Sequence, residues 1–290
     1  MKRLGPIGVY LPISFTRTPP VDAQREAAQR LERAGYRTVW TNEVVGGKDA
    51  LVQLAVLLAA TERLVFGTGI ANIWAREPQT LHAAAAQLAD AYPDRLVLGI
   101  GAGHPEQAAG TGRDYGSPLK TVRDYVTRMD AQTWPPAPAA AYPRILGANG
   151  PKMLALAAEL TDGAFPANLP PGLTAAARSV LGPDKLLVIG LPVVTGGVAA
   201  AREKVAGSLA MGWYRKAVRR LGYSADDADD VDALADAVVA HDEPDAVAAK
   251  ARAHLAAGAD HVVLMPPATD DFTADVETLE RLAPASGTFT

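Results

Sequence analysis

Two titratable side chains, Glu43 and His104, stand directly after apolar segments that are typical of buried strands. A carboxylate and a histidine that titrates near neutrality can accept and donate the proton when a carbonyl or an alkene is reduced. In the alternative interpretation, Glu43 caps or solvates a loop and His104 bonds a neighbouring backbone carbonyl. The residues alone leave both interpretations open.

Glycines gather at the ends of two neighbouring apolar segments, GTGIANIW (67–74) and LGIGAGH (98–104). Glycine has no side chain and permits close approach to its backbone, so strand ends of this kind leave room for a flat molecule. The alternative is that these glycines only stop their strands. The pattern favours a slot for an aromatic cofactor.

The segment GANGPKM (147–153) joins an apolar strand to a helix. Asn149 can cap that helix, and the free N–H groups near Gly150 and Lys152 would face a phosphate, helped by the helix dipole and the Lys152 charge. The next strand over could close the same cradle with the backbone of Gly101, Ala102 and Gly103. Many strand-to-helix turns look alike, so this motif alone leaves phosphate binding and a plain turn equally open.

The elements that must hold these residues alternate between strand and helix along the chain. Apolar runs predict strands at 4–11, 37–40, 64–68, 96–100, 144–147, 163–165, 186–194 and 261–265. The phrases ERAGYRTVW, ELTDGAF and LAAGADHVVL share one pattern of helix end, glycine and apolar strand, as repeated crossover units do. Residues 134–143 are predicted to form a loop, and residues 198–257 to be wholly helical.

Eight buried strands alternating with helices fit either a closed (β/α)₈ TIM barrel or an open doubly wound sheet. Glycines and polar residues cluster after several strands, where a barrel builds its site, and no dinucleotide fingerprint follows the first strand. The sequence therefore predicts a TIM barrel, with residues 1–290 forming a single domain.

Composition narrows the class of protein. The chain has 290 residues, 49% hydrophobic and 21% charged, with a formal net charge of -4, which gives no basic excess for nucleic acid. It has no cysteine, which excludes disulfides and thiolate chemistry, and its histidines show no metal-ligand spacing with carboxylates. No apolar run approaches the ~20 residues of a membrane span, and no signal peptide is apparent. We expect a cytoplasmic protein with a small-molecule partner, with neither metal, membrane nor nucleic acid bound, and leave a homodimer open.

Four motifs in order resemble the bacterial luciferase-like superfamily, and within it the oxidoreductases that use the deazaflavin coenzyme F420. The motifs are ERAGYRTVWTNEVVGGKDAL (32–51), TERLVFGTGIANIWAREPQTL (61–81), YPDRLVLGIGAGH (92–104) and GANGPKMLALAAELTDGAF (147–165). The resemblance covers nearly the whole chain. It implies a hydride-transferring enzyme. The alternatives are a monooxygenase that uses flavin mononucleotide (FMN), and a non-catalytic protein that binds either cofactor.

The resemblance also assigns roles to individual residues. It implies a non-proline cis peptide at Gly69–Ile70 that supports the ring from behind, with Asn72 at the ring edge. Independently of the resemblance, the position of Trp74 directly after this peptide predicts that it lines the substrate pocket, and the alternative is that it belongs to the core, as aromatic residues in loops more often do. In the sugar-phosphate dehydrogenases of this family the histidine follows strand two and the acid follows strand four. Here the acid, Glu43, follows strand two and the histidine, His104, follows strand four, so the order is reversed. Asn42, which we assign to cofactor binding, replaces a neighbouring acidic residue. Both differences argue against a sugar-phosphate dehydrogenase activity.

Overall fold

The computed structural model describes residues 4–13, 17–194, 196–224, 228–241 and 243–287. Strands and helices alternate along the chain. The strands are β1 (Ile7–Tyr10), β2 (Thr38–Thr41), β3 (Val65–Thr68), β4 (Ala71–Asn72), β5 (Leu96–Gly101), β6 (Arg144–Leu146), β7 (Gly163–Ala164), β8 (Leu186–Val194), β9 (Ala240–His241) and β10 (His261–Met265).

Helices follow most of the strands, with two between β5 and β6 and three between β8 and β9. They are α1 (Val21–Arg33), α2 (Ala50–Ala59), α3 (Pro78–Ala91), α4 (Pro105–Ala109), α5 (Pro118–Met129), α6 (Pro151–Leu160), α7 (Pro171–Leu181), α8 (Gly197–Leu209), α9 (Gly212–Arg219), α10 (Ala228–Val238), α11 (Pro244–Ala256) and α12 (Phe272–Gly287).

The strands close into a ring. Parallel pairing runs β10-β1-β2-β3-β5-β6-β7-β8, and β8 pairs with β10 to complete the circle. β4 pairs with β5, and β9 pairs with β8. Because every strand of the ring is followed by a helix that packs outside it, the structure confirms the (β/α)₈ TIM barrel.

Local chemistry accounts for the start of α2 and the end of α1. The carboxylate of Asp49, the residue before α2, accepts from the N–H groups of Leu51 (2.9 Å) and Val52 (3.0 Å), so it caps the helix. α1 stops before Gly35, which has φ +95°, a value that glycine adopts without a steric cost.

The third barrel strand ends at Thr68, as predicted, and the short strand β4 follows it after a step at Gly69–Ile70. The prediction that 198–257 is wholly helical is wrong, since β9 interrupts it at Ala240–His241 and pairs with Val193 and Val194. A strand of two residues is too short to show an alternating pattern.

Large side chains fill the barrel interior. Trp40 packs edge-on against Phe165, with ring centroids 5.0 Å apart, and both are buried. A Cβ added at Gly67 would lie 2.3 Å from Cε3 of Trp40, so a glycine is required where the indole crosses β3. The interior is therefore a packed core below the site.

The excursion between β8 and β9 forms an apolar cluster of its own. Buried side chains of α8, α9 and α10, among them Val205, Tyr214 and Leu234, pack together with Val194 at the end of β8. Within the described ranges, no helix combines the length and the apolar character needed to cross a membrane.

Candidate functional site

A cavity of about 530 Å³ opens at the carboxyl ends of β1, β2, β3, β5 and β10. These strand ends and the loops after them supply most of its lining, and α8 adds one lysine. The lining residues are Tyr10, Leu11, Pro12, Ile13, Asn42, Glu43, Gly69, Ile70, Asn72, Gly103, His104, Gln107, Lys204, Met265, Pro266, Pro267 and Ala268. The cavity brings together the predicted residues Asn42, Glu43, Gly69, Ile70, Asn72, Gly103 and His104.

The other predicted site residues lie outside this lining. They are Trp74, Gly101, Ala102, Asn149, Gly150 and Lys152. Trp74 is 6% exposed, and its indole N–H donates to the carbonyl of Ala102 at 2.7 Å. The indole thus ties the loop after β4 to the end of β5, which is a core position and not the cavity wall.

The peptide bond between Gly69 and Ile70 is cis, as the family resemblance implied. The Gly69 N–H donates to the carbonyl of Thr41 at 2.7 Å, and its carbonyl accepts from the Tyr10 hydroxyl. A Cβ at Gly69 would lie 2.3 Å from Cε1 of Phe165, so the strand end has no space for a side chain. Burial raises the pKa of Tyr10, which keeps its hydroxyl a donor.

The side chain of Ile70 covers two neighbouring strand ends. A Cβ at Gly101 would come within 3.0 Å of Ile70, and one at Gly147 within 3.1 Å. Gly101 therefore contributes to the cavity indirectly, because its missing side chain lets Ile70 lie flat across β5 and β6.

Glu43 is buried and has partners for both carboxylate oxygens. It accepts from the N–H groups of Ala50 (3.1 Å) and Asn72 (2.7 Å), and it pairs with the guanidinium of Arg76. Arg76 also binds Asp49 at 2.7 Å. These contacts favour the interpretation that Glu43 holds the loops around the cavity, and a catalytic role for it stays a prediction.

His104 lies at the mouth of the cavity with its side chain exposed. It is the residue before α4, and its backbone N–H donates to Oε1 of Gln107 at 2.9 Å. An exposed imidazole on the cavity wall can exchange protons with solvent and can reach a bound substrate. Its role in proton transfer remains a prediction.

A buried lysine that no sequence motif marks, Lys48, contacts Asn42. Lys48 is 8% exposed, and its ammonium donates to Oδ1 of Asn42. Burial lowers the pKa of Lys48 to about 8, against the opposing attraction of Glu43. In the sequence, Asn42 and Lys48 are six residues apart, and this spacing does not predict a contact unless the conformation of the loop between them is known.

Asn72 supplies an unpaired polar group. Its side chain is fully buried, and Oδ1 accepts from the Trp74 N–H at 3.0 Å. Nδ2 has no partner among the described residues, although a buried donor is normally bonded. An unpaired amide on a cavity wall fits a ligand that brings a hydrogen-bond acceptor.

Gly103 has no side chain at the point where the side chains of Asn72 and Gln107 pack closely against its backbone. Its φ is +58°, and an added Cβ would lie 2.6 Å from Nδ2 of Asn72 and 1.9 Å from Oε1 of Gln107. The bare backbone at Gly69 and Gly103, together with the unpaired Asn72 amide, fits a flat cofactor with carbonyl groups.

The predicted phosphate cradle lies apart from the cavity. The expectation that Asn149 caps α6 is wrong, because the residue before the helix is Gly150 and Oδ1 of Asn149 accepts from the Ala167 N–H at 2.8 Å. The amide is used to fasten the loop after β7. No atom of the described residues lies within 4 Å of a Cβ placed on Gly150, and Lys152 is exposed, so the start of α6 is accessible.

Curated relatives match about half of the chain. A putative coenzyme F420-dependent oxidoreductase of Mycobacterium tuberculosis is 29% identical over 189 residues, which is 54% of each chain. The 5,10-methylenetetrahydromethanopterin reductase of Methanolobus tindarius is 27% identical over 168 residues, 52% of each chain. The protein thus spans about half the length of the curated relatives that it matches.

Solved structures match the fold over almost the whole length. An F420-dependent secondary alcohol dehydrogenase in complex with an F420-acetone adduct superposes with a TM-score of 0.73 at 17% identity, covering 97% of this chain and 99% of its own. The oxygenating constituent of 3,6-diketocamphane monooxygenase from Pseudomonas putida, in complex with FMN, gives 0.70 at 16% identity, with 99% and 98% covered. At these identities the likeness shows the fold alone.

The family follows from the match of the sequence itself. The profile of the family described as luciferase-like monooxygenase matches residues 6–181, which is more than half of the chain and includes the loops that form the cavity from β1 to β5. The protein therefore belongs to the luciferase-like monooxygenase family.

Proposed function

We propose that this protein is an F420-dependent oxidoreductase that transfers hydride between the deazaflavin and a small organic substrate. The observation that carries the proposal is the cavity at the strand ends, where Gly69 and Gly103 bare the backbone and Asn72 offers an unpaired amide. The F420-dependent relatives in the same family support deazaflavin as the ligand.

Each residue has a defined role in this proposal. The deazaflavin, when bound, supplies the hydride chemistry. Gly69 and Ile70 support the ring, and Asn42 and Asn72 bond its edge. His104, exposed at the mouth, donates or accepts the substrate proton, while Glu43, paired with Arg76, holds the β2 and β4 loops in place.

The tail of the cofactor would reach the start of α6. The accessible N–H groups near Gly150 and the Lys152 ammonium suit its phosphate, since a helix N-terminus attracts anions. In this proposal the backbone of Gly101 to Gly103 contacts the same phosphate from the opposite side.

The second candidate is an FMN-dependent monooxygenase, because the FMN-bound monooxygenase of Pseudomonas putida has the same barrel. Both rings carry the same pair of carbonyl groups, so the cavity amides suit either. The two functions differ in the fate of the reduced cofactor, because a deazaflavin works by hydride transfer and a reduced flavin reacts with oxygen.

Titration with both cofactors tests the proposal. Quenching of cofactor fluorescence by the purified protein is expected to give a lower Kd for F420 than for FMN. Equal or reversed affinities, or oxygen uptake with the reduced flavin form bound, would contradict it. The absorbance spectrum and mass of the compound that co-purifies from a host making both cofactors give an independent answer.

A further inference from the structure

A second cavity, of about 520 Å³, adjoins the site cavity and has the size of a small-molecule site. The wall of this outer cavity includes Val194, Ala200, Lys204, Gly207, Met211 and Pro267. Lys204 and Pro267 line both cavities, so the two spaces adjoin at these residues. A molecule bound in the site can therefore extend past Lys204 into the outer cavity.

One side of α8 forms a large part of the wall of the outer cavity. Ala200, Lys204 and Gly207 recur every three or four residues along α8, so they share one side of the helix. The residues on the opposite side of α8 are buried in the apolar cluster of α8, α9 and α10. The helix is therefore held by its apolar side, and its other side faces the space that a ligand can occupy.

Gly207 leaves open space on this side of α8. Its backbone is helical and not left-handed, and no atom of the described residues lies within 4 Å of an added Cβ. Glycine is among the least favourable residues inside a helix, because it loses the most backbone freedom on folding. Neither the conformation of Gly207 nor its packing against the described residues accounts for a glycine here, whereas a ligand lying against α8 does.

Lys204 carries an unpaired charge where the two cavities meet. It is exposed, and it forms no ion pair within the described part of the chain. Glu43, the acid of the site cavity, is already paired with Arg76. Glu203 lines only the outer cavity, and its charge disfavours an anion there. The charges therefore favour a ligand with an anionic group beside Lys204 and an uncharged chain beyond it.

The wall of the outer cavity lies almost wholly outside the family match, because the matched region ends at residue 181 and α8 begins at Gly197. What this cavity binds is thus a property of this chain that the family assignment does not cover. We propose that the substrate is an elongate carboxylic acid, whose carboxylate pairs with Lys204 and whose apolar chain lies along α8 beside Gly207. This rests on the proposed function for the reaction itself, and it adds the class of substrate.

The first experiment measures binding without turnover. In calorimetric titrations with straight-chain 2-oxo acids, from 2-oxobutanoate to 2-oxodecanoate, Kd should fall about two- to threefold for each added CH₂ group, because each one buries apolar surface against Val194 and Met211. Gly207→Leu fills the space and should raise the Kd of 2-oxooctanoate about tenfold. Ala206→Leu is the matched control, because Ala206 is exposed and does not line the outer cavity. It should leave Kd within about twofold.

The second experiment isolates the charge of Lys204. Lys204→Met should raise the Kd of 2-oxooctanoate about two- to fivefold, as for loss of an exposed ion pair. It should leave the Kd of 2-octanone, which has no carboxylate, unchanged. Added salt should reduce the difference between wild type and variant, because the pair is screened. If Lys204→Met instead weakened the binding of F420 and left that of 2-oxooctanoate unchanged, Lys204 would belong to the cofactor, and its role here would be overturned.

A turnover assay separates this inference from the proposed function. In that assay a hydride from reduced F420 and a proton convert the carbonyl of the 2-oxo acid into an alcohol, and the absorbance of oxidised F420 reports the rate. A Kd that does not depend on chain length, or that Gly207→Leu leaves unchanged, would overturn the inference even if F420 is oxidised. Chain-dependent binding without oxidation of F420 would support the outer cavity as a binding site and count against the proposed function.

Discussion

Buried polar side chains at the two ends of the barrel interior differ in whether their hydrogen-bonding groups have partners. At the amino-terminal end, the Trp40 indole N–H donates to Nε2 of His261 at 3.1 Å, and Nδ1 of His261 lies 2.7 Å from the carbonyl of Gly5. Because the indole can only donate, His261 carries its proton on Nδ1 and donates it to Gly5. At the carboxyl-terminal end, the NH₂ group of Asn72 is buried without a partner among the described residues.

The difference in hydrogen bonding between His261 and Asn72 distinguishes a group that stabilises the fold from one that is available to a ligand. Burial lowers the pKa of His261 to about 4, so the ring is neutral at pH 7, with both of its nitrogens bonded. A buried donor without a partner has a cost of about 1 to 3 kcal/mol that a ligand can recover by bonding it. The hydrogen bonds of His261 at the amino-terminal end therefore stabilise the fold. The unpaired NH₂ group of Asn72 at the carboxyl-terminal end can bind a ligand.

The largest expected effect belongs to the histidine at the carboxyl-terminal end. His104→Ala removes the exposed imidazole at the cavity mouth and should lower turnover by about 10² to 10⁴, as for loss of a general acid or base. Cofactor affinity and the free energy of unfolding should hold, because His104 is exposed. Steady-state kinetics, fluorescence titration and urea denaturation measure the three quantities.

The companion variant Glu43→Gln tests whether the second predicted group shares this role. Its carboxylate is paired with Arg76, so a loss of turnover with a matching loss of stability would identify a holding role. If both variants kept full activity, His104 and Glu43 would have structural roles and no part in proton transfer.

A pair of glycines gives the next effect in size. At Gly67 an added Cβ meets the buried Trp40 ring at 2.3 Å, and at Gly103 it meets Gln107 and Asn72, two of the cavity amides. Gly67→Ala should lower the free energy of unfolding by about 1 to 3 kcal/mol, as overpacking does, and leave affinity largely intact in the molecules that fold.

Gly103→Ala should lose a similar amount of stability and, unlike Gly67→Ala, should also lose affinity for the cofactor. The cost of a positive φ is about 1 to 2 kcal/mol, but displacement of the Asn72 and Gln107 amides should raise the cofactor Kd about tenfold. Denaturation curves and titrations on the same samples check both. If both variants lost stability and affinity in the same proportion, the functional difference between the two ends would be disproved.

The barrel could be predicted because its signals are local and repeated. Each apolar strand is short, and the glycines and polar residues after it mark its carboxyl end. Asn42, Glu43, Gly69, Asn72 and His104 follow such strand ends and line one cavity in the structure. Short β9 gave no pattern, and the step between Thr68 and β4 left no signal except the resemblance.

The partners of the site residues could not be predicted, because they are set by loop conformations. Nothing in the sequence shows that Arg76, 33 positions away, takes the carboxylate of Glu43, or that Lys48 takes the oxygen of Asn42. Asn149 is a residue type that often caps helices, but its side-chain oxygen accepts from the backbone N–H of Ala167, in the loop after β7, and not from the first turn of α6. Residue type fixes what a side chain can bond, and the tertiary structure decides which bond it makes.

The smallest expected effect concerns the start of α6, where the carboxyl end of the barrel meets solvent. Gly150 has an extended backbone (φ -107°, ψ 155°), and an added Cβ would have no neighbour within 4 Å in the described part of the chain, so Gly150→Val should fold normally. If the phosphate lies on the free N–H groups there, the valine should weaken F420 binding several-fold. Lys152→Ala should weaken it by less than about threefold, because an exposed charge is screened, and this loss should disappear at high salt. A deazaflavin analogue without the phosphate is the control ligand, for which neither variant should differ from the wild type. An unchanged F420 affinity in Gly150→Val would place the anchor elsewhere on the rim, and the amides of the cavity would then account for more of the binding free energy.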